Sequence, residues 1–310
     1  MNALMRRVLL WMAANRWLRD RLPRLPFARR AVRRFMPGET AADALEAARD
    51  FAGEGIGVMF TRLGENLVDT SDADGVAEHY VGLLDEIGRL PIDGEISVKL
   101  TQLGLDLGVE STFARADRLA SRAAEIGGML WIDMEGSAYV ETTIAFYERL
   151  KAQRPNVGLC LQAYLHRTAG DLQRLLPLEP GIRLVKGAYA EPASIAYQSR
   201  ADVDRNYAAL AIAMLESAQG GRAVRIGLGT HDVRLIEAVA ADATTRGLGL
   251  GAFEVQMLYG IRADQQRRLA RGGCKVRILI AYGEAWYPWY MRRLAERPAN
   301  VLFALRQLLP

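Results

Sequence analysis

Lys99, Asp133, Arg183 and Lys186 each interrupt or end a run of apolar residues in this 310-residue chain. A charge on an apolar strand is costly unless it is paired or used. Several such charges at similar depths on different strands point to one shared site. Near the C-terminus two adjacent arginines, Arg292 and Arg293, stand in WYPWYMRRLAERPAN, residues 286–300. On a helix Glu296 falls i+4 from Arg292 and i+3 from Arg293, a spacing that holds guanidinium groups in fixed directions. Taken alone, that pattern also describes a solvated helix face. Set above a pocket, paired guanidinium groups grip a small carboxylate with parallel hydrogen bonds.

Further polar residues fall into the same pattern. Glu65 follows the first apolar run, Glu135 ends the third, and Gln162 lies in the fourth. Thr230, His231 and Asp232 end the sixth, and Gln256 lies in the seventh. The eight runs span residues 55–64, 95–104, 129–135, 157–165, 181–189, 223–232, 250–258 and 274–283. They are near-continuous in Val, Ile and Leu, as suits strands buried on both faces of a parallel sheet. Amphipathic helical stretches separate them, among them 111–127 and 202–219. Eight strands alternating with helices predict a (β/α)8 barrel of about 250 residues. The C-terminal strand ends of such a barrel form its active face. Residues 1–50 are then an N-terminal helical extension, and residues 51–310 the barrel domain.

Composition excludes several classes. Half of the residues are hydrophobic and a quarter charged, an ordinary balance for a packed domain. Residues 1–38 hold ten arginines and one acid, Asp20. Such a segment is a solvated face or a patch for anionic headgroups or nucleic acid. Cys160 and Cys274 fit neither a CxxC pair nor a disulfide framework, which favours a reducing compartment. His79, His166 and His231 lack metal-ligand spacing, so no metal is expected. No apolar run reaches the length of a membrane-spanning helix. No G-x-G-x-x-G follows a strand, and no P-loop or G-x-S-x-G is present. A cofactor must therefore sit on the barrel itself.

Three strand ends suit a large ligand. RLVKGAY, residues 183–189, offers a cation at Lys186, close backbone approach at Gly187 and a stacking ring at Tyr189. GTHD, residues 229–232, offers a hydroxyl beside an imidazole for phosphate or ribityl contacts. FEVQMLYG, residues 253–260, ends in Met257 and Leu258. Taken alone, the first two are better read as plain strand termini, and Met257 and Leu258 as plain core.

Together with SVKLTQLGL (97–105), WIDMEG (131–136), LQAYLHRT (161–168) and YGEAWYPWYMRRLAERPAN (282–300), these segments resemble the proline dehydrogenase family in its short bacterial form. The resemblance covers almost the whole chain after residue 90, in order. It implies a distorted (β/α)8 barrel holding FAD non-covalently, with the last helix above the substrate. It implies oxidation of L-proline to 1-pyrroline-5-carboxylate by hydride transfer to flavin N5, the first step of proline catabolism. The electrons then pass to a membrane quinone. The implied place is the bacterial cytoplasm, with peripheral contact at the inner membrane and no nucleic acid partner.

Residue by residue, the resemblance implies that Lys99, Arg292 and Arg293 bind the carboxylate, with Tyr282 and Leu258 beside the substrate. Asp133 is similar to the family's essential acid, and Arg183 to the residue that hydrogen-bonds the flavin near N5. Met134, Gln162, Lys186, Gly187, Ala188, Tyr189, Thr230, His231 and Glu296 look like flavin contacts. Glu65 resembles an acid that pairs with an arginine of the last helix, here assigned to Arg292, to close the site.

The chain departs from the family pattern at Leu279, where a tyrosine is common, and at Trp289, Ala190 and the GTHD segment. The preference between proline and 4-hydroxyproline stays open on that account. Two alternatives need no flavin. One is a barrel aldolase with Lys99 or Lys186 as Schiff base. The other is a binding module working through the basic start. A third keeps the flavin, as a relative of methylenetetrahydrofolate reductase. The double arginine favours a small carboxylate instead.

Overall fold

The computed structural model describes residues 11–12, 15–21, 32–64 and 67–296. Eight strands close into a barrel in chain order, every neighbouring pair parallel. They are β1 Gly57–Arg62, β2 Gly94–Val98, β3 Leu130–Ile132, β4 Val157–Gln162, β5 Gly181–Val185, β6 Arg225–Gly229, β7 Phe253–Leu258 and β8 Lys275–Tyr282. Seven lie inside the expected apolar runs, and β2 begins one residue ahead of its run, at Gly94. The expected barrel is therefore present.

The helices are α1 Arg16–Arg21, α2 Ala41–Ala52, α3 Thr70–Arg89, α4 Val109–Glu125, α5 Val140–Lys151, α6 Thr168–Leu175, α7 Arg200–Gln219, α8 Val233–Thr245, α9 Ala263–Arg271 and α10 Trp286–Glu296. Two begin slightly earlier than their sequence pattern. The first turn of α4 starts at Val109, behind Gly108. In α7 the hydroxyl of Ser199 accepts from the Asp202 amide and caps a helix that opens at Arg200.

Helix α2 spans the expected boundary at residue 50 and packs on the barrel. Ala44, Ala48 and Phe51 join the main core, against β1 and β8. Thr40 and Asp43 cap it reciprocally. Further back, Val32, Phe35 and Met36 pack with Leu63, Trp286, Trp289 and Tyr290 in a second cluster. That cluster fixes α10 over one side of the barrel mouth. The Trp286 indole N–H also donates to Glu39 at 2.9 Å.

The barrel's lower interior is charged, where such barrels usually carry branched apolar side chains. Glu95 on β2 pairs with Arg225 on β6 at 2.6 Å. Glu254 on β7 lies 3.1 Å from Arg277 on β8, and Arg277 reaches Asp93 at 2.8 Å and the Val58 carbonyl at 3.0 Å. Two buried acids thus face two arginines, which balances charge that would be prohibitive unpaired. Trp131 on β3 donates to Glu95 at 2.7 Å, its ring held between the guanidinium groups of Arg183 above and Arg225 below. Gly158 makes room for that indole, since a Cβ there would sit 2.4 Å from the ring.

Candidate active site

A cavity of about 430 Å³ opens at the C-terminal ends of the strands. Met59, Leu258 and Leu279 form an apolar wall, and Asp133 and Arg183 stand against it. Lys186, Gly187 and Ala188 continue the lining beyond β5, and Thr230 and His231 beyond β6. Eight sequence candidates therefore meet in one space: Asp133, Arg183, Lys186, Gly187, Ala188, Thr230, His231 and Leu258.

The centre of this space is an ion pair. Arg183 is buried on β5, and its Nη2 donates to Asp133 Oδ1 just past β3. The same Nη2 donates to the Ser97 hydroxyl at 2.7 Å, and that hydroxyl donates to Asp133 Oδ1 at 2.8 Å. Nη1 points at the sulfur of Met59, 2.8 Å away. Burial works against the arginine's charge. The adjoining carboxylate outweighs burial and lifts its pKa above the ordinary value. Nearby Cys160 is a buried thiol whose pKa burial pushes up, so it is a poor nucleophile.

A second charged group lies at the mouth. Lys186 pairs with Asp204 and, at 3.0 Å, with Asp232. Arg200, at the start of α7, reaches Asp232 at 3.1 Å and keeps most of its surface exposed. Burial raises the Asp232 carboxyl, but the hydrogen bonds and charges of Lys186 and Arg200 hold it at about 2. His231 is fixed by the Leu258 amide, which donates to its Nε2 at 3.4 Å.

Gly187 sits at φ +117, where L side chains are strained, and a Cβ there would strike the Tyr164 ring at 2.2 Å. The lining at this point is bare backbone. Gln162 ends β4 fully buried. Its Nε2 donates to the Met134 carbonyl at 3.3 Å, while its Oε1 finds no partner among the described residues. That acceptor is buried, and Gln162 does not line the cavity.

Other candidates are placed differently. Lys99 follows β2 half-buried, without a side-chain hydrogen bond or ion pair among the described residues, and does not line the cavity. The Met134 side chain packs into the main core. Tyr189 is half-buried beyond the lining. Tyr282 corrects the expectation that it flanks the substrate. Side chains alternate along β8, so Arg277 and Leu279 face inward while Tyr282 faces α3. Its hydroxyl meets His79 Nε2 at 2.8 Å. Trp289 is buried in the cluster beneath α10. Glu65 lies outside the described residues. Arg292, Arg293 and Glu296 lie on α10, and their side chains are outside the described set.

Sequence reasoning passed over Ser97, Met59, Arg200 and Arg277. Arg277 carried a usable signal, a charge inside the apolar run KVRILIAY like that of Arg183 in its own strand. Ser97 and Met59 carried none, because a serine or methionine in a strand is ordinary.

The family model for proline dehydrogenase matches residues 44–306. A proline dehydrogenase of Deinococcus radiodurans is 36% identical over 281 residues, covering 89% of each chain. Proline dehydrogenase 1 of Bacillus subtilis subsp. natto is 32% identical over 306 residues, covering 99% of each. Among solved structures, proline utilization A of Bdellovibrio bacteriovorus, inactivated by N-propargylglycine, superposes with a TM-score of 0.79 at 20% identity. That superposition covers 93% of this chain and 38% of the other. A mutant of proline utilization A from Bradyrhizobium japonicum gives a TM-score of 0.74 at 23% identity, with coverages of 90% and 32%. The chain thus spans about a third of those larger proteins, and at this identity the likeness concerns the fold. With a family match over most of its length and full-length relatives above 30% identity, the chain belongs to the proline dehydrogenase family.

Proposed function

We propose that this chain oxidises L-proline to 1-pyrroline-5-carboxylate with FAD bound non-covalently in the cavity, the first step of proline catabolism. The observation that carries the reading is the Asp133–Arg183 pair, set against the apolar wall of Met59, Leu258 and Leu279 at the strand ends. It places one fixed charge pair where a small zwitterion and a flat ring system would meet.

The residues present fit a flavin dinucleotide. The bare backbone at Gly187 admits close approach, and Lys186 and Arg200 supply positive charge for a diphosphate. Ala188, Thr230 and His231 extend the same lining. By resemblance Met134, Gln162, Tyr189 and Glu296 complete the contacts. When bound, FAD supplies a two-electron hydride acceptor.

The protein's own part is positioning and charge. Arg292, Arg293 and Lys99 hold the substrate carboxylate in this reading. Three clustered cations are costly to desolvate alone, and an anion relieves that cost. Leu258 and Leu279 offer an apolar wall to the ring carbons. Asp133 faces the reacting end, its charge balanced by Arg183. By resemblance, Glu65 is the acid that pairs with Arg292 to close the site. N-propargylglycine, which inactivates the Bdellovibrio protein, is itself a small amino acid, and that accords with a carboxylate clamp.

Electrons leave to a membrane quinone, and the basic start aids contact with the bilayer. Trp11 and Trp17 are exposed on that segment, with Arg21 over the Trp17 ring at 4.9 Å. Among the described residues no helix is long and apolar enough to cross a membrane. Liposome flotation should be weaker for a variant lacking residues 1–21, and equal binding would end the membrane part of the reading.

The test of the whole is an absorbance spectrum before and after anaerobic L-proline. Flavin bands that bleach support it. Bands that persist redirect the search to 4-hydroxyproline. A colourless protein that FAD does not reconstitute overturns it and promotes the lysine aldolase.

A further inference from the structure

Arginine and carboxylate groups usually pair as a fork, with two nitrogens on two oxygens. Asp133 and Arg183 do not. Arg183 meets the acid through Nη2 and Oδ1 only, and its Nη1 is turned to the Met59 sulfur. Oδ2 of Asp133 has no hydrogen-bond partner among the described residues, and Asp133 lines the cavity. The hydroxyl of Ser97, itself fully buried, sits between the two groups. It accepts from Arg183 at 2.7 Å and donates to Asp133 Oδ1 at 2.8 Å.

Those two bonds leave the hydroxyl one orientation. Arginine has no acceptor, so the hydroxyl proton must go to the carboxylate. Oδ1 therefore receives two donors and is held, and Oδ2 is left over. Ser97 is in turn fixed by its strand and by the Tyr80 hydroxyl, which donates to the Ser97 carbonyl at 3.1 Å while accepting the Arg62 amide at 2.8 Å.

We propose that Ser97 is a positioning residue that keeps the Asp133–Arg183 pair single-stranded, so that Asp133 offers a free oxygen to the substrate. Without the hydroxyl the carboxylate turns and takes Arg183 by both oxygens. The pair then keeps its charge and its stability and loses its working geometry. The effect on turnover rests on the proline dehydrogenase reading above. The geometry of the triad does not.

The experiment compares Ser97→Ala, Ser97→Cys and Ser97→Thr in the FAD-loaded protein. Cysteine is slightly larger than serine and only a weak donor, whereas threonine keeps the hydroxyl. Alanine and cysteine should each lower kcat for L-proline by about 10-fold or more with KM changed less than threefold. Threonine should restore most of kcat. In parallel, urea midpoints are measured for Ser97→Ala, Asp133→Asn and the double variant. The two changes should be non-additive, as expected for groups in one hydrogen-bonded triad. A kcat within twofold of the parent in both alanine and cysteine variants overturns the proposal, as does a loss confined to KM. Strict additivity of the urea midpoints overturns the triad itself. If alanine fails to fold, cysteine and threonine decide. If the parent's flavin is not reduced by proline, the functional reading fails and the urea cycle alone judges the triad.

Discussion

Asp133 and Arg183 are separated by 50 residues, with β4 between their strands, yet Arg183 donates directly to the Asp133 carboxylate across the top of the barrel. The arginine is almost wholly buried and the acid is its nearest countercharge. Removing one partner leaves the other unbalanced. Asp133→Ala should lower unfolding stability by about 3 kcal/mol, read from urea denaturation. Turnover should fall at least 100-fold in the same variant. A stable, active Asp133→Ala protein would falsify the pairing as both support and chemistry.

Gly187→Ala should fold and lose its cofactor. The new Cβ meets the Tyr164 ring and forces φ out of its left-handed setting, which distorts the bare backbone that faces the cavity. FAD content per chain, read from absorbance after purification, should drop by most of its value. Full flavin loading would show that this backbone is not a cofactor contact.

Tyr282→Phe should cost stability without touching catalysis. It removes one hydrogen bond to His79, worth about 1 kcal/mol. KM for L-proline should stay within twofold, because the ring faces α3 and not the cavity. A tenfold rise in KM would return Tyr282 to the substrate.

His79 also sets a pH dependence. Burial, then the charge of Arg62, holds its pKa below the ordinary 6.5. The unfolded chain therefore takes up that proton first. Stability from this group is present above pH 6.5 and is lost as pH falls through the lower folded value. In His79→Gln that part of the slope between pH 7 and 5 should vanish from thermal unfolding curves. An unchanged slope would assign it elsewhere.

Asp232 acts in a more acid window. With its carboxyl held at about 2 against an ordinary 3.8, its contribution is present above pH 3.8 and lost as pH falls through 2. Asp232→Asn should cost about 2 kcal/mol at pH 7. The variant and its parent should converge in urea midpoint near pH 2. A constant gap across that range would mean the loss is one of packing.

The strands were the legible part of the fold, because continuous apolar runs such as VGLCLQ and GIRLV are required when both faces are buried. The charges inside those runs marked Asp133, Arg183 and Lys186 for the same reason. Tyr282 was misplaced because strand ends are polar on both faces, and only the alternation from Leu279 separates inside from outside. The packing of Val32, Phe35 and Met36 beneath α10 was hidden, since it joins the two ends of the described chain and leaves no periodic trace. Ser97 was hidden too, for its role lies in two hydrogen bonds and not in its residue type.

The charged interior of the barrel bears on synthesis. Arg277 lies on the last strand, and it neutralises Glu254 while tying β8 to Val58 and Asp93 near the first two strands. A chain growing from its N-terminus carries Glu95, and then Glu254, before Arg277 exists. Until β8 emerges, sealing the seven earlier strands would leave Glu95 and Glu254 sharing Arg225. The charge balance of the barrel interior is therefore complete only once residue 277 is in place.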